Sequence, residues 1–207
     1  MPKRTLPSIS KSQNAGARVA DAILAFIAKI PNTTRHKSGN PSKVSREVAN
    51  SAAAKAALTA GSIALPPGPL GWLTILPELI AVWKIQAQMV SDLAAVYGKK
   101  SSLTQELMLY CLFRHTAAQA VRDVVVRVGE RFLVRRASLR GLQVIAQRVG
   151  VRVTQRVIGK GISRWLPIVG AVGVGAYAYY DTSQVAATAI DLFAEDIIVE
   201  LQADEDA

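Results

Sequence analysis

The sequence has no charged residue between Lys55 and Glu78, and Pro66-Pro67-Gly68-Pro69 interrupts this apolar run. An uncharged run of this length can reach across a bilayer. The prolines break any helix, and a break in hydrocarbon leaves backbone N–H and C=O groups without partners unless protein covers them. The run therefore predicts a proline-broken helical hairpin that either packs in a protein core or dips into one leaflet of a membrane.

The composition of the whole chain favours helices packed through small and aliphatic side chains. Half of the residues are hydrophobic, whereas only 6% are aromatic. A chain of 207 residues buries one sizeable core. We predict an all-α protein, a compact multi-helix bundle in which the broken hairpin is central and a glycine-rich helix is buried. Residues 14–200 form the single domain in this prediction, residues 1–13 a disordered basic arm and residues 201–207 an acidic disordered tail.

Periodicity and turn formers place four helices in the first part of the chain. Apolar residues recurring at three and four predict the first, and a Ser102/Gln105 capping-box pattern predicts the start of the fourth. Gly98 suits the position that follows the end of the third helix. The predicted ranges are Ala15 to Ile30, Ser42 or Ser45 to Leu65, about Leu70 to Gly98, and Leu103 to at least Ala120.

Two valine-rich stretches are harder to assign: residues 121–134, VRDVVVRVGERFLV, and residues 149–159, VGVRVTQRVIG. Both alternate in part, as half-buried strands do. Their cations recur at intervals of four, however, and no Asn-Gly hairpin turn separates the two stretches. We therefore predict helices for both.

A third feature is LPIVGAVGVGAYAYYD, residues 166–181, with glycines at Gly170, Gly173 and Gly175. A phosphate-binding loop is disfavoured, since no convincing strand precedes the glycines and they lack the dinucleotide fingerprint. The uncharged run is also shorter than the roughly 20 residues that span a bilayer. Because glycine inside a helix costs up to about 1 kcal/mol relative to alanine, the cluster indicates close packing on another backbone. The alanines of the second helix are the predicted partner.

Charge is distributed unevenly along the chain. Between Arg114 and Arg164 there are twelve basic residues and two acids, whereas Asp181 onward holds eight acids and no base. Cations spaced by four residues on a helix drift by only about 40° per step, so they form one ridge. This ridge is predicted to bind anions or lipid, and its members are Arg148, Arg152, Arg156, Lys160 and Arg164, with Arg127, Arg131 and Arg135 repeating the spacing upstream.

Two partners suit the ridge. An anionic membrane surface gains about 1 kcal/mol per correctly oriented Lys or Arg. Duplex nucleic acid releases counterions on such a surface, although Phe132 is the only aromatic residue between Arg114 and Arg164, so no platform for stacking single-stranded bases is present there. A solvated face, partly neutralised by the acidic tail, is the third interpretation.

The sequence predicts no enzyme, no metal site and no cofactor. Cys111 is the only cysteine, and His36 and His115 fall in no metal-ligand or Ser-His-Asp pattern. The basic N-terminal residues lack the apolar core of a secretory signal, so we expect a cytoplasmic protein. Glu78 and Asp181 stay ambiguous, because each either faces solvent or is buried beside a partner.

Two stretches resemble EcsC-type proteins. Residues 57–98, ALTAGSIALPPGPLGWLTILPELIAVWKIQAQMVSDLAAVYG, are similar to an apolar, proline-interrupted block followed by a helix ending in Tyr-Gly. Residues 149–193, VGVRVTQRVIGKGISRWLPIVGAVGVGAYAYYDTSQVAATAIDLF, resemble the C-terminal block with Pro-x-x-Gly-Ala and a glycine-rich helix. The first block is also similar to the helical domain of YcjF-type inner-membrane proteins.

The resemblance implies a bacterial helical protein at the cytoplasmic face of the membrane, linked in some members to an ABC transporter. It implies no catalytic residue. Where the family often has Asn after the glycine-rich helix, this chain has Tyr179, Tyr180 and Asp181, so no role of that Asn carries over.

Overall fold

The computed structural model of the protein describes residues 9–63, 71–159 and 167–199. Within these ranges a helical bundle carries a small three-stranded sheet, which confirms the predicted all-α multi-helix class. The helices are α1 (Ile9–Ile27), α2 (Pro41–Ile63), α3 (Gly71–Val96), α4 (Gln105–Val121), α5 (Leu139–Gly159) and α6 (Pro167–Ala194). The strands are β1 (Val125–Val128), β2 (Arg131–Val134) and β3 (Asp196–Val199).

Local signals set most helix ends. Gly98, at φ +73°, follows α3, and its N–H and that of Lys99 donate to the Ala95 and Ala94 carbonyls, which is a Schellman motif. The predicted capping box at Ser102 was wrong, since Thr104 caps α4 by accepting the Leu107 N–H. α1 begins at Ile9, so residues 9–13, predicted to belong to a disordered arm, are helical.

The predicted helical hairpin is formed by α2 and α3, which pack against each other. Pro77 lies inside α3. The Pro66–Pro69 interruption lies outside the described residues, and so does the predicted acidic tail.

The prediction of a helix through residues 121–134 was wrong beyond Val121. β1 and β2 form an antiparallel hairpin in which Val128 pairs with Arg131, so the turn is Gly129-Glu130. Gly129 adopts φ +63°, a conformation that glycine supplies without steric cost and that a two-residue hairpin requires. The four-residue spacing of the cations therefore does not reflect a helix here. The second valine-rich stretch, residues 149–159, is helical as predicted.

β3 was not predicted either, because its residues were included in the helical domain. It pairs with β2 in parallel, with Arg131 opposite Asp196 and Val134 opposite Val199. Three β-branched residues in succession, Ile197 to Val199, suit a strand and explain why α6 does not continue.

The main core lies around α3 and α4 and receives side chains from every other helix and from the sheet. Trp83 and Phe113 meet edge to face with ring centroids 5.3 Å apart. Such pairs stabilise by about 0.5–1.5 kcal/mol beyond their buried area. The core therefore ties α3 to α4 and positions the elements around them.

Two helix pairs cross through small residues. A Cβ on Gly175 of α6 would lie 3.0 Å from the Ala57 carbonyl oxygen of α2, so the predicted packing of this glycine on helix two is present. Among the described residues, none has an atom within 4 Å of a Cβ on Gly173, so the predicted contact of this glycine is not formed there. Gly170 belongs to a part of α6 whose side chains lie outside the description. The second crossing, of α1 on α5, places Gly150 against the Gly16 carbonyl.

The glycine-rich helix is buried along one face. Gly175 and Ala178 point into the protein, whereas Val172 and Tyr180 are 68% and 58% exposed. α6 therefore packs by its small residues and presents larger apolar side chains outward.

Cys111 is fully buried in the core, and burial raises the pKa of its thiol, with Arg114 opposing this effect. At alkaline pH the thiol therefore stays protonated in the folded protein, whereas in the unfolded chain it has begun to lose its proton. Thiolate is the reactive form of cysteine, so Cys111 is expected to be inert in the native protein.

This raised pKa makes stability depend on alkaline pH. Because the folded state binds the proton more tightly, the contribution of the raised pKa to folding stability is complete below the ordinary thiol pKa. This contribution is lost as the pH rises above that value. We expect Cys111 to account for up to about 1.4 kcal/mol of lost unfolding free energy per pH unit above about pH 9. Urea unfolding at pH 8 and pH 10 checks this. A Cys111→Ala variant should lose less stability over the interval, and an equal loss would contradict the assignment.

Candidate functional site

The N-terminal end of α5 is held by hydrogen bonds from two directions. The Ala137 N–H donates to the buried Glu106 carboxylate of α4 at 3.2 Å. Ser138 caps the helix by accepting the Gly141 N–H at 3.2 Å. The segment between β2 and α5 is thereby fixed, and the helix leaves the sheet in a defined direction.

α5 is amphipathic, and its inner face contacts α1 and α4. The buried residues of this helix are mostly aliphatic or small; they are Leu142, Ala146, Val149, Gly150, Val153 and the polar Thr154. Contact of Gly150 with the α1 backbone brings the two helix axes close together. The opposite face of α5 is therefore turned toward solvent.

The solvent-facing side of α5 carries the arginines. Arg148 and Arg152 are exposed on it, as the predicted ridge requires, and Arg140 joins them two four-residue steps upstream. The three arginines spread over about 120° of the helix circumference. Val144 and Val151 lie between them and are 40% and 45% exposed. We call these five residues the arginine face.

The remainder of the predicted ridge is described only in part. Arg156 lies within α5, but its side chain is not described, and Lys160 and Arg164 lie outside the described residues. Arg140 was missed as a site residue although its spacing from Arg148 follows the same rule. The signal was available in the sequence, but Val144 replaces the cation at the intervening position.

Two connected grooves run along the arginine face between α5 and the end of α4. The larger, of about 610 Å³, is lined by Gln119, Gln147, Arg148, Val151, Arg152 and Gln155 together with Ala120. The second, of about 440 Å³, is lined by Arg140, Val144 and Arg148 and also by Asp123. Both are open to solvent and both mix guanidinium groups with aliphatic side chains. Such a surface suits a ligand that is anionic and partly apolar.

The described acids form no ion pair with the arginines of this face, although Asp123, which pairs with Arg122, lines the second groove beside Arg140 and Arg148. Among the described residues, no Asp or Glu lies within ion-pair distance of Arg140, Arg148 or Arg152, and α5 itself contains no acid. Like charges four residues apart on a helix repel by a few tenths of a kcal/mol per pair. An anion bound from outside the protein would relieve this repulsion.

The upstream members of the predicted ridge occupy a different place. Arg127 and Arg131 lie on β1 and β2 and Arg135 directly follows β2, so the three do not continue the α5 ridge. Arg127 forms an ion pair with Glu195 and lies over the Phe132 ring at 5.6 Å. Its charge is thus compensated within the protein.

Acidic residues between positions 181 and 196 form ion pairs with other basic residues as well. Asp191 pairs with Arg114 at 3.6 Å and Asp196 with Lys99 at 3.1 Å. These acids face α4 and the end of α3, not α5. The structure therefore separates a compensated group of basic residues from the arginine face.

The ambiguity of Asp181 is resolved by a polar cluster between α3, α4 and α6. Its carboxylate contacts His115 Nε2 at 2.7 Å and accepts from Gln86 Nε2 at 2.9 Å. Gln86, fully buried, also donates to Thr182 Oγ1 at 3.2 Å. The side chain of Glu78 is not described. No local sequence pattern indicates this cluster, because its members are far apart along the chain.

The cluster does not have the geometry of a nucleophile–base–carboxylate triad. Thr116 Oγ1 lies 2.8 Å from His115 Nε2, the same nitrogen that meets Asp181. In a triad the two ring nitrogens face different partners, whereas here Nδ1 is buried and has no hydrogen-bond partner among the residues that the structure describes. The short contact to a carboxylate indicates that Nε2 carries the proton. The cluster therefore joins three helices, and the part of the chain that the structure describes contains no metal-binding group of acids, His and Cys.

By length and composition, one described stretch could cross a membrane: Leu79–Val96 of α3, most of which is buried inside the protein. Comparison of the chain with protein-family models, with curated proteins and with solved structures found no match. The arginine face is thus the feature from which a function is argued.

Proposed function

We propose that this chain is a non-enzymatic helical protein of EcsC type that associates peripherally with the cytoplasmic face of the bacterial membrane. The arginine face of α5 is the contact surface. The observation that supports the proposal is that Arg140, Arg148 and Arg152 are exposed, lie on one helix face and form no ion pair with a carboxylate of the described residues.

The electrostatic attraction is sufficient for reversible attachment. Each arginine near an anionic leaflet contributes about 1 kcal/mol, so three contribute about 3 kcal/mol. This attraction falls off within a Debye length, about 8 Å at physiological ionic strength. Binding is therefore expected to be weak, orientation-dependent and sensitive to salt.

The valines favour lipid over nucleic acid. Val144 and Val151 are exposed between the arginines, where they can enter the boundary between headgroups and acyl chains. A phosphate backbone offers these side chains no apolar partner. Val172 and Tyr180 on the outer face of α6 provide further apolar and aromatic surface of the kind found at membrane interfaces. The resemblance to EcsC-type proteins extends the proposal to a link with a membrane transporter.

Flotation with vesicles tests the proposal. The full chain should bind phosphatidylglycerol-containing vesicles at low salt, bind phosphatidylcholine vesicles weakly and dissociate as salt is raised. Replacing Arg140, Arg148 and Arg152 together with Gln should lower the partition coefficient about 100-fold, from about 1 kcal/mol per arginine. The matched control replaces the exposed Lys43, Lys55 and Lys84 of α2 and α3 with Gln, which changes net charge equally on other faces.

The control separates a specific face from net charge. An equal loss of binding in both variants would show that only total charge matters and would contradict the proposed contact surface. Absence of vesicle binding, combined with a shift of duplex DNA or RNA at the same salt concentration, would replace the proposal with the nucleic-acid alternative.

A further inference from the structure

We infer that the acidic segment 200–207 of this chain binds across its own arginine face at the Arg140 end and competes there with external anionic surfaces. The membrane competition rests on the proposed function, whereas the intramolecular contact is independent of it. The segment contains Glu200, Asp204, Glu205 and Asp206 and no base.

The register of the sheet directs the segment toward α5. β2 and β3 are parallel and Val134 is opposite Val199, so the chains that leave the two strands start side by side in the same direction. From Val134 the chain passes through Arg136 to α5, which begins at Leu139 and carries Arg140 in its first turn. In the sequence the acidic segment directly follows Val199, the last residue of β3.

The length of the segment is adequate for this contact. Eight extended residues reach at most roughly 26 Å, at about 3.3 Å each. Arg140 and Arg148 are separated by about 12 Å along the helix axis. The groove that contains Arg140 and Arg148 has a volume of about 440 Å³ and is open to solvent, so a single extended strand of chain can occupy it.

The negative charge of this segment is complementary to the arginines of the groove. The acids at 181–196 already pair with His115, Arg114, Arg127 and Lys99. Arg136, Arg140 and Arg148 have no carboxylate partner within the described ranges, and Asp204, Glu205 and Asp206 supply three. Tethering next to the face gives these acids a high effective concentration, so individually weak exposed ion pairs are sufficient.

The contact is tested first without lipid. A thiol-reactive spin label on an Ala203→Cys variant avoids the buried Cys111. At low salt it should reduce the amide NMR signals of Arg140, Val144 and Arg148 at least twofold, and leave those of Ser51 and Lys55 on α2 unchanged. The reduction should disappear in an Arg136→Gln, Arg140→Gln, Arg148→Gln background. Equal signals at α5 and α2, or persistence in that background, would overturn the inference.

Competition is measured with phosphatidylglycerol vesicles at low salt. The variant Asp204→Asn, Glu205→Gln, Asp206→Asn should bind about tenfold more tightly than the parent chain. The control Asp21→Asn, Glu47→Gln, Glu130→Gln makes the same charge change at exposed positions outside the segment. An equal gain in both variants would contradict competition. Spin-label broadening in a chain that binds no vesicles would uphold the intramolecular contact and remove the membrane function.

Discussion

Replacing Asp181 with alanine is expected to lower the free energy of unfolding by about 3–4 kcal/mol. Asp181 is only 17% exposed, and its carboxylate holds both the His115 Nε2–H and the Gln86 amide. Removal of one partner from a buried pair costs about 3–5 kcal/mol, because the remaining polar groups are left without hydrogen bonds. Urea unfolding monitored by circular dichroism measures the loss.

Asparagine at position 181 provides the matched control. Its carbonyl oxygen still accepts from His115, and its amide replaces the oxygen that faces Gln86. Gln86 can rotate its amide so that Oε1, buried without a partner, accepts from the new amide while the Thr182 hydroxyl donates to it. We therefore expect Asp181→Asn to retain more than half of the stability that Asp181→Ala loses. Equal losses in the two variants would show that the carboxylate charge, and not the hydrogen-bond network, is required.

Gly150→Val is expected to cost about 3 kcal/mol of unfolding free energy. A Cβ at this position would lie 2.6 Å from the Gly16 carbonyl oxygen and 3.0 Å from the Ala20 amide nitrogen. Both atoms belong to the α1 backbone, so no side chain can rotate to make room and the two helices must separate. Overpacking a close contact costs about 1–3 kcal/mol or more.

Gly173→Val is the corresponding control in α6. In the described part of the chain, nothing lies within 4 Å of a Cβ at Gly173, so the substitution meets no steric barrier there. Valine is also a somewhat better helix former than glycine. We expect the stability to stay within about 0.5 kcal/mol of the parent or to rise slightly. A large loss at Gly173, or none at Gly150, would contradict the assignment of which glycines pack against backbone.

Helices were predictable where the sequence contains local signals. Gly98 ends α3 through its positive φ, and residues 41–45 start α2 close to the predicted serines. Thr104, not Ser102, caps α4. Both residues offer a hydroxyl that can cap a helix, so local chemistry alone does not choose between them. Such ambiguities shift a helix boundary without changing the fold.

The sheet was missed because two signals conflicted. Arg127, Arg131 and Arg135 have helical spacing, whereas the valines around them alternate as in a strand. Gly129 was the deciding residue, since Gly-Glu can form a two-residue turn as Asn-Gly does. β3 depends on pairing with a strand far away in the chain, and no local pattern encodes that partner.

The candidate site was predicted only in part, because local spacing is readable from the sequence and tertiary contacts are not. Arg148 and Arg152 follow from spacing within one helix, and both are exposed on α5. That Arg127 forms an ion pair with Glu195 while Arg148 forms none with a described acid depends on tertiary contacts. The Gln86, His115 and Asp181 cluster joins three separate helices, so it became visible only once their packing was known.

The pairing of early helices with late ones has a consequence for synthesis on the ribosome. α1 packs on α5, and α2 packs on α6 as well as on the neighbouring α3, so both N-terminal helices have a main partner that is translated more than a hundred residues later. The β1–β2 hairpin likewise keeps an open edge until β3 has emerged. Non-local contacts of this kind slow folding and leave apolar surface exposed in the nascent chain. Chaperones that shield α1 and α2 during translation would therefore raise the yield of native protein without altering its final stability.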